Sequence, residues 1–111
     1  MAVVNNKKGG NAVIRQTVTG NVTLADLQTG GETVSAASIS SLAWSTNGSI
    51  TIARGANTII NLHNTGQWDL NIAGGALAED KAADFVITIV GGGTVLIGVS
   101  KTSSITGLEP L

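Results

Sequence analysis

Residues 38–54 read Ser38-Ile39-Ser40-Ser41-Leu42-Ala43-Trp44-Ser45-Thr46-Asn47-Gly48-Ser49-Ile50-Thr51-Ile52-Ala53-Arg54. Two β-rich runs flank an Asn-Gly step, and both residues of that step tolerate the positive φ of a tight hairpin turn. The stretch therefore predicts a β-hairpin, and the same grammar recurs on either side of it. Upstream, Val13–Thr19 and Val22–Ala25 flank Gly20-Asn21. Downstream, Thr58–His63 and Gln67–Ala73 flank Asn64-Thr65-Gly66, and Trp68, Leu70 and Ile72 alternate with Gln67, Asp69 and Asn71. A fourth pair, Phe85–Val90 and Thr94–Ser100, brackets Gly91-Gly92-Gly93, and its nearly continuous apolar character predicts strands covered on both faces. Residues 28–33 read as a loop. Ala76–Asp84 is the one candidate for a short helix or a capped loop.

Four such pairs predict an all-β fold, an antiparallel β-sandwich or jelly roll of about eight strands with less than about one-sixth helix. Trp44, Trp68, Phe85, Ile87, Ile89, Val95 and Ile97 are the expected core. Composition agrees. The 111 residues include 11 Ile, 10 Val and 13 Thr with 15 Gly and one Pro, a mix suited to pleated strands and turns. A length of 111 fits one domain. Residues 1–11, polar and glycine-rich, read as a flexible N-terminal arm, 12–102 as the β-sandwich domain and 103–111 as a C-terminal tail.

Charge excludes several functions. Six basic and seven acidic residues give a net charge of −1, too weak a field to draw the chain to nucleic acid or to anionic lipid. No cysteine and one histidine exclude disulfide scaffolds, zinc fingers and thiol catalysis. The start, Met1 to Gly10, lacks the order of a secretory signal, and no apolar run is long enough for a membrane helix, so cytoplasmic synthesis is expected.

Candidate chemistry is sparse. His63 would lie near Asp69 across the third predicted hairpin, but no Gly-x-Ser-x-Gly segment supplies a nucleophile, and a solvated strand-end histidine is the better reading. Gly91-Gly92-Gly93 is separated from Lys101-Thr102 by a strand, whereas a phosphate loop needs glycine, lysine and hydroxyl as a unit. Glu79, Asp80 and Asp84 lack calcium-loop spacing and read as a solvated loop in which Asp80 or Asp84 pairs Lys81 or Arg54. No catalytic, metal or cofactor residues are assigned, and no enzyme activity is expected.

The segment Ile50-Thr51-Ile52-Ala53-Arg54-Gly55-Ala56-Asn57-Thr58, with Leu62, Gly66 and Trp68, resembles small virion proteins of marine tailed bacteriophages. The basic Lys7-Lys8-Gly9 start and the closing Gly93-Thr94-Val95-Leu96-Ile97 strand with Lys101 extend the likeness over most of residues 1–104. The resemblance implies a particle component, most simply a capsid decoration (cement) protein on the outside of the shell. Its implied partners are the major capsid protein and neighbouring copies of itself, with no small-molecule substrate. A neck or tail component is the near neighbour. The expected partner contacts are the two extensions, through Lys7, Lys8 and Arg15 at one end and Leu108 and Leu111 at the other. The contrasting expectation is a carbohydrate-binding module, which requires Trp44 or Trp68 to be exposed beside Asp69 or Asn71.

Overall fold

The computed structural model describes residues 3–69 and 81–105. Among these residues the fold is all-β and antiparallel, a curled sheet of seven strands. They are β1 (Val3–Val4), β2 (Asn11–Gln16), β3 (Gly20–Val22), β4 (Glu32–Arg54), β5 (Asn57–Asp69), β6 (Phe85–Val90) and β7 (Gly93–Ile105). The only helical turn among the described residues is a 3-10 turn at Ala25–Leu27, closed by Thr23 and Asp26 bonding each other's backbone N–H. Strand order is β1-β2-β7-β4-β6-β3, with β5 added to the other side of β4.

The strands are longer and paired differently from the four expected hairpins. Residues 38–54 are not a hairpin but the larger part of the 23-residue strand β4. Its first half pairs with β7, from Glu32↔Ile105 to Thr46↔Gly93, and its second half pairs with β6, from Ser49↔Val90 to Arg54↔Phe85. Thus β6 and β7 lie end to end along one side of β4 and do not pair with each other. On their far side β2 follows β7 and β3 follows β6 in the same way.

A crease crosses the sheet where the turns were expected. In β4 it falls at Asn47-Gly48, where Ser45 pairs Thr65 but Ser49 pairs His63, so β4 advances four residues against two of β5. In β5 it falls at Asn64, at φ 61°, and between β6 and β7 at Gly91-Gly92. Between β2 and β3 the Thr19 hydroxyl holds it by donating to the Ile89 carbonyl and accepting the Ile89 N–H. Thr46 Oγ1 likewise donates to the Gly92 carbonyl at 2.6 Å and accepts the Gly48 N–H. The turn residues thus bend four adjacent strands together, a bulge-driven change of direction rather than chain reversal. Gly48 fits because a Cβ there would lie 2.0 Å from the Val90 carbonyl oxygen. The actual β4–β5 reversal is Gly55-Ala56.

Folding along the crease wraps the sheet around one core. Alternation in β2 buries Ala12 and Ile14, and that in β7 buries Val95, Ile97 and Val99. Leu42, Ile50 and Ile52 of β4 and Phe85 and Ile87 of β6 complete its centre. Of the expected core, Trp44 and Ile89 sit half-buried at its rim, and Trp68 is 41% exposed and lies outside it. The apolar strands β6 and β7 are covered on one face only, since Val90 and Leu96 face solvent at 58% and 39%.

Residues 3–11, expected to be a free arm, are tied to the domain. Val3 and Val4 pair with Ile14 and Val13, and Lys7 to Gly10 form the turn between β1 and β2. Arg54, expected as a partner for Asp80 or Asp84 of a solvated loop, is 1% exposed. Its guanidinium donates to the carbonyls of Ala37, Lys81 and Ala83 and stacks 3.9 Å from the Phe85 ring centroid. It thereby fixes residues 81–84, which form turns and not helix, to the end of β4. The rest of the helix candidate, including Glu79 and Asp80, lies outside the described residues, as do Leu70 and Ile72 of the expected strand Gln67–Ala73.

Candidate functional site

Two places combine unusual chemistry with defined geometry. The first is a shallow groove on the sheet surface, lined by Val13, Ser41, Leu42, Ala43, Gln67, Trp68, Leu96 and Gly98. Strand register builds it. Arg15, Leu96, Ala43 and Gln67 are successive cross-strand partners from β2 through β7 and β4 to β5, and Val13, Gly98, Ser41 and Asp69 form the next row. Leu96 stands out from the first row, whereas Trp68 pairs the buried Leu42 in the intervening row and is exposed at the edge strand β5. Arg15, exposed, closes one end of the first row.

Trp44 supports this end of the sheet from the core side. Its indole N–H donates to the His63 carbonyl at 2.9 Å, and its ring lies over Gly66, where a Cβ would approach Cζ2 to 2.6 Å. The two tryptophans therefore have different tasks. Trp44 braces the edge strand β5, and Trp68 presents a ring to solvent.

The second place is a buried polar cluster where the chain's beginning meets its last strand. Lys101 Nζ donates to Glu32 Oε1 at 2.9 Å, Asn6 Oδ1 at 2.6 Å and the Leu27 carbonyl at 3.1 Å. Both the Lys101 and Glu32 side chains are shielded from solvent. Glu32 Oε1 also accepts the Thr29 N–H and hydroxyl, Oε2 accepts the Gly9 N–H, and Asn6 Nδ2 donates to the Leu27 carbonyl. Burial pushes the Glu32 carboxyl up, but hydrogen bonds from Thr29, Lys101, Gly9 and Ser103 outweigh it and lower it from 4.5 to about 2. The Glu32 carboxyl is therefore ionised at neutral pH.

Of the expected contact residues, Lys7 and Lys8 are exposed in the β1–β2 turn, and Leu108 and Leu111 lie outside the described residues. Arg15 alone is brought beside the groove. His63 and Asp69 are not diagonal partners, because the hairpin between them does not form. They lie six residues apart on one strand, ~20 Å along its axis. Among the described residues, no three His, Cys, Asp or Glu side chains converge.

The buried cluster was legible in part. Lys101 continues the period-two row Val95, Ile97, Val99, which is the inward face of β7. Comparison with family models, with curated proteins and with solved structures finds no match to this chain.

Proposed function

We propose that this chain is a non-enzymatic structural protein of a tailed-bacteriophage virion, a capsid decoration protein that binds the outer face of the shell. The observation that carries the reading is the surface groove lined in part by Val13, Ala43, Leu96 and Trp68, the last two of which are exposed large apolar residues. Large exposed apolar side chains gathered in one groove are what a protein partner covers, and an exposed Trp is a favoured interface anchor. The resemblance noted at Ile50–Thr58 supports the particle assignment, and those residues form the end of β4 and its turn into β5. The partners are the major capsid protein and neighbouring copies, with the groove, not the termini, as the main contact. A neck or tail position is the nearest alternative within the same class. Among the described residues, no helix is long and apolar enough to cross a membrane.

Exposure of Trp68 favours a second reading, a carbohydrate-binding module that stacks a sugar on the ring. The lining argues against it. The groove's apolar lining residues Leu96, Val13 and Ala43 offer nothing to sugar hydroxyls, and among the described residues of the lining only Gln67 and Ser41 supply polar side chains. Co-sedimentation of the purified chain with phage shells lacking it tests the proposal. Binding that Leu96→Glu abolishes supports it, and absence of binding contradicts it. Quenching of tryptophan fluorescence by oligosaccharides, lost in Trp68→Ala, would establish the second reading instead.

A further inference from the structure

The cluster at the end of β7 holds an amine, a carboxamide and a carboxylate in contact within the protein. Lys101 Nζ lies 2.6 Å from Asn6 Oδ1, which puts it within ~3.8 Å of Asn6 Cγ, one carbonyl bond length further. A near-attack distance is about 3–3.5 Å, so a small shift of the lysine side chain suffices. Glu32 Oε1 touches the same nitrogen at 2.9 Å. The Asn6 amide nitrogen, the leaving group of such an attack, is held by the Leu27 carbonyl at 2.8 Å.

We propose that Lys101 and Asn6 join spontaneously through an isopeptide bond, with Glu32 carrying the proton and one ammonia released. Glu32 takes a proton from the Lys101 ammonium. The neutral amine attacks Asn6 Cγ, forming the new C–N bond and a tetrahedral centre. The Cγ–Nδ2 bond then breaks, and the departing nitrogen takes one hydrogen from Nζ and the proton held by Glu32. An ammonium ion leaves, the carboxylate is restored and the new amide keeps one hydrogen, so atoms and charge balance with no added reagent.

The resting ion pair does not block this route. Away from water, the neutral amine–acid tautomer is penalised far less than in solution, because it buries no net charges. A minor population is enough for a reaction that occurs once per molecule and whose ammonia escapes. The bond would tie residue 6 to residue 101, fastening the first turn of the chain to its last strand.

Intact-mass spectrometry of the folded full-length chain, followed by tandem mass spectrometry of its peptides, is the test. The expected mass is one ammonia below that of the sequence, with a branched peptide joining Asn6 to Lys101. Lys101→Arg restores the full mass, Glu32→Gln leaves the chain unlinked, and Asn6→Asp loses one water instead of ammonia. Asn47-Gly48 can also lose ammonia by cyclisation, but that loss persists in Lys101→Arg and gives no branch. If Lys101→Arg or Glu32→Gln fails to fold, the wild-type branched peptide and the water loss of Asn6→Asp still decide. Full mass with no branch in the folded wild-type chain overturns the proposal and leaves the cluster as an ion pair.

Discussion

Leu42 and Trp68 stand directly opposite each other across the β4–β5 ladder, yet Leu42 is 2% exposed and Trp68 41%. Leu42 has β7 on its other side, where it pairs Ile97. Trp68 lies on β5, which has no further strand beyond it among the described residues. The same alternation that buries a central residue therefore leaves its edge partner in solvent.

Stability should separate the two tryptophans. Trp68→Ala is expected to cost about 1 kcal/mol, since the ring keeps much of its exposure on folding. Trp44→Ala should cost about 3 kcal/mol, through lost packing on Gly66 and the lost bond to the His63 carbonyl. Urea denaturation measures both. Equal losses would show that Trp68 belongs to the core.

At the crease, Gly48→Ala should destabilise by at least about 2–3 kcal/mol, because its methyl group meets the Val90 carbonyl and the backbone of two strands must part. Were Asn47-Gly48 a solvent-exposed hairpin turn, alanine would cost only the strain of a turn. Thermal melts of the variant distinguish the two.

Much of the fold was legible in the sequence, and its pairing was not. Strand character, antiparallel class and the inward rows of β2 and β7 follow from alternation that each strand carries locally. Asn47-Gly48 and Gly91-Gly92 signal a bend, but hairpin and crease share the same local backbone needs. Only the far partner, β7 continuing where β6 stops, decides between them. Trp68 was misplaced for the same reason, because edge position is a property of the sheet and not of the strand. The groove arises from four strands in register, so no one segment could announce it.

The Glu32 carboxyl, lowered to about 2, makes stability acid-sensitive. A depressed carboxyl contributes stability that is full above its unfolded value of 4.5 and is lost as pH falls through about 2. Asn6→Ala, which keeps Lys101 and Glu32 but cannot form the amide, isolates this effect. Its melting temperature should fall steadily from pH 4.5 to 2, and a flat profile would show that Glu32 is not held by the cluster.

The isopeptide bond should be visible in heat resistance. By the chain-entropy argument, closing a loop of this length is worth about 4–5 kcal/mol. Asn6→Ala should then melt on the order of 20 °C below the wild type at neutral pH. Deleting residues 1–11 should be at least as damaging, since it also leaves the buried Lys101 and Glu32 short of partners. A truncated chain as stable as the whole would restore these residues to the role of a free arm.

Electron cryomicroscopy of an intact tailed-phage particle would locate the chain and what covers its groove. For the proposed decoration role, copies of this chain should stand on the outer face of the shell, with Trp68 and Leu96 covered by the major capsid protein. A particle without the chain, or one that carries it with that groove bare, would contradict the account.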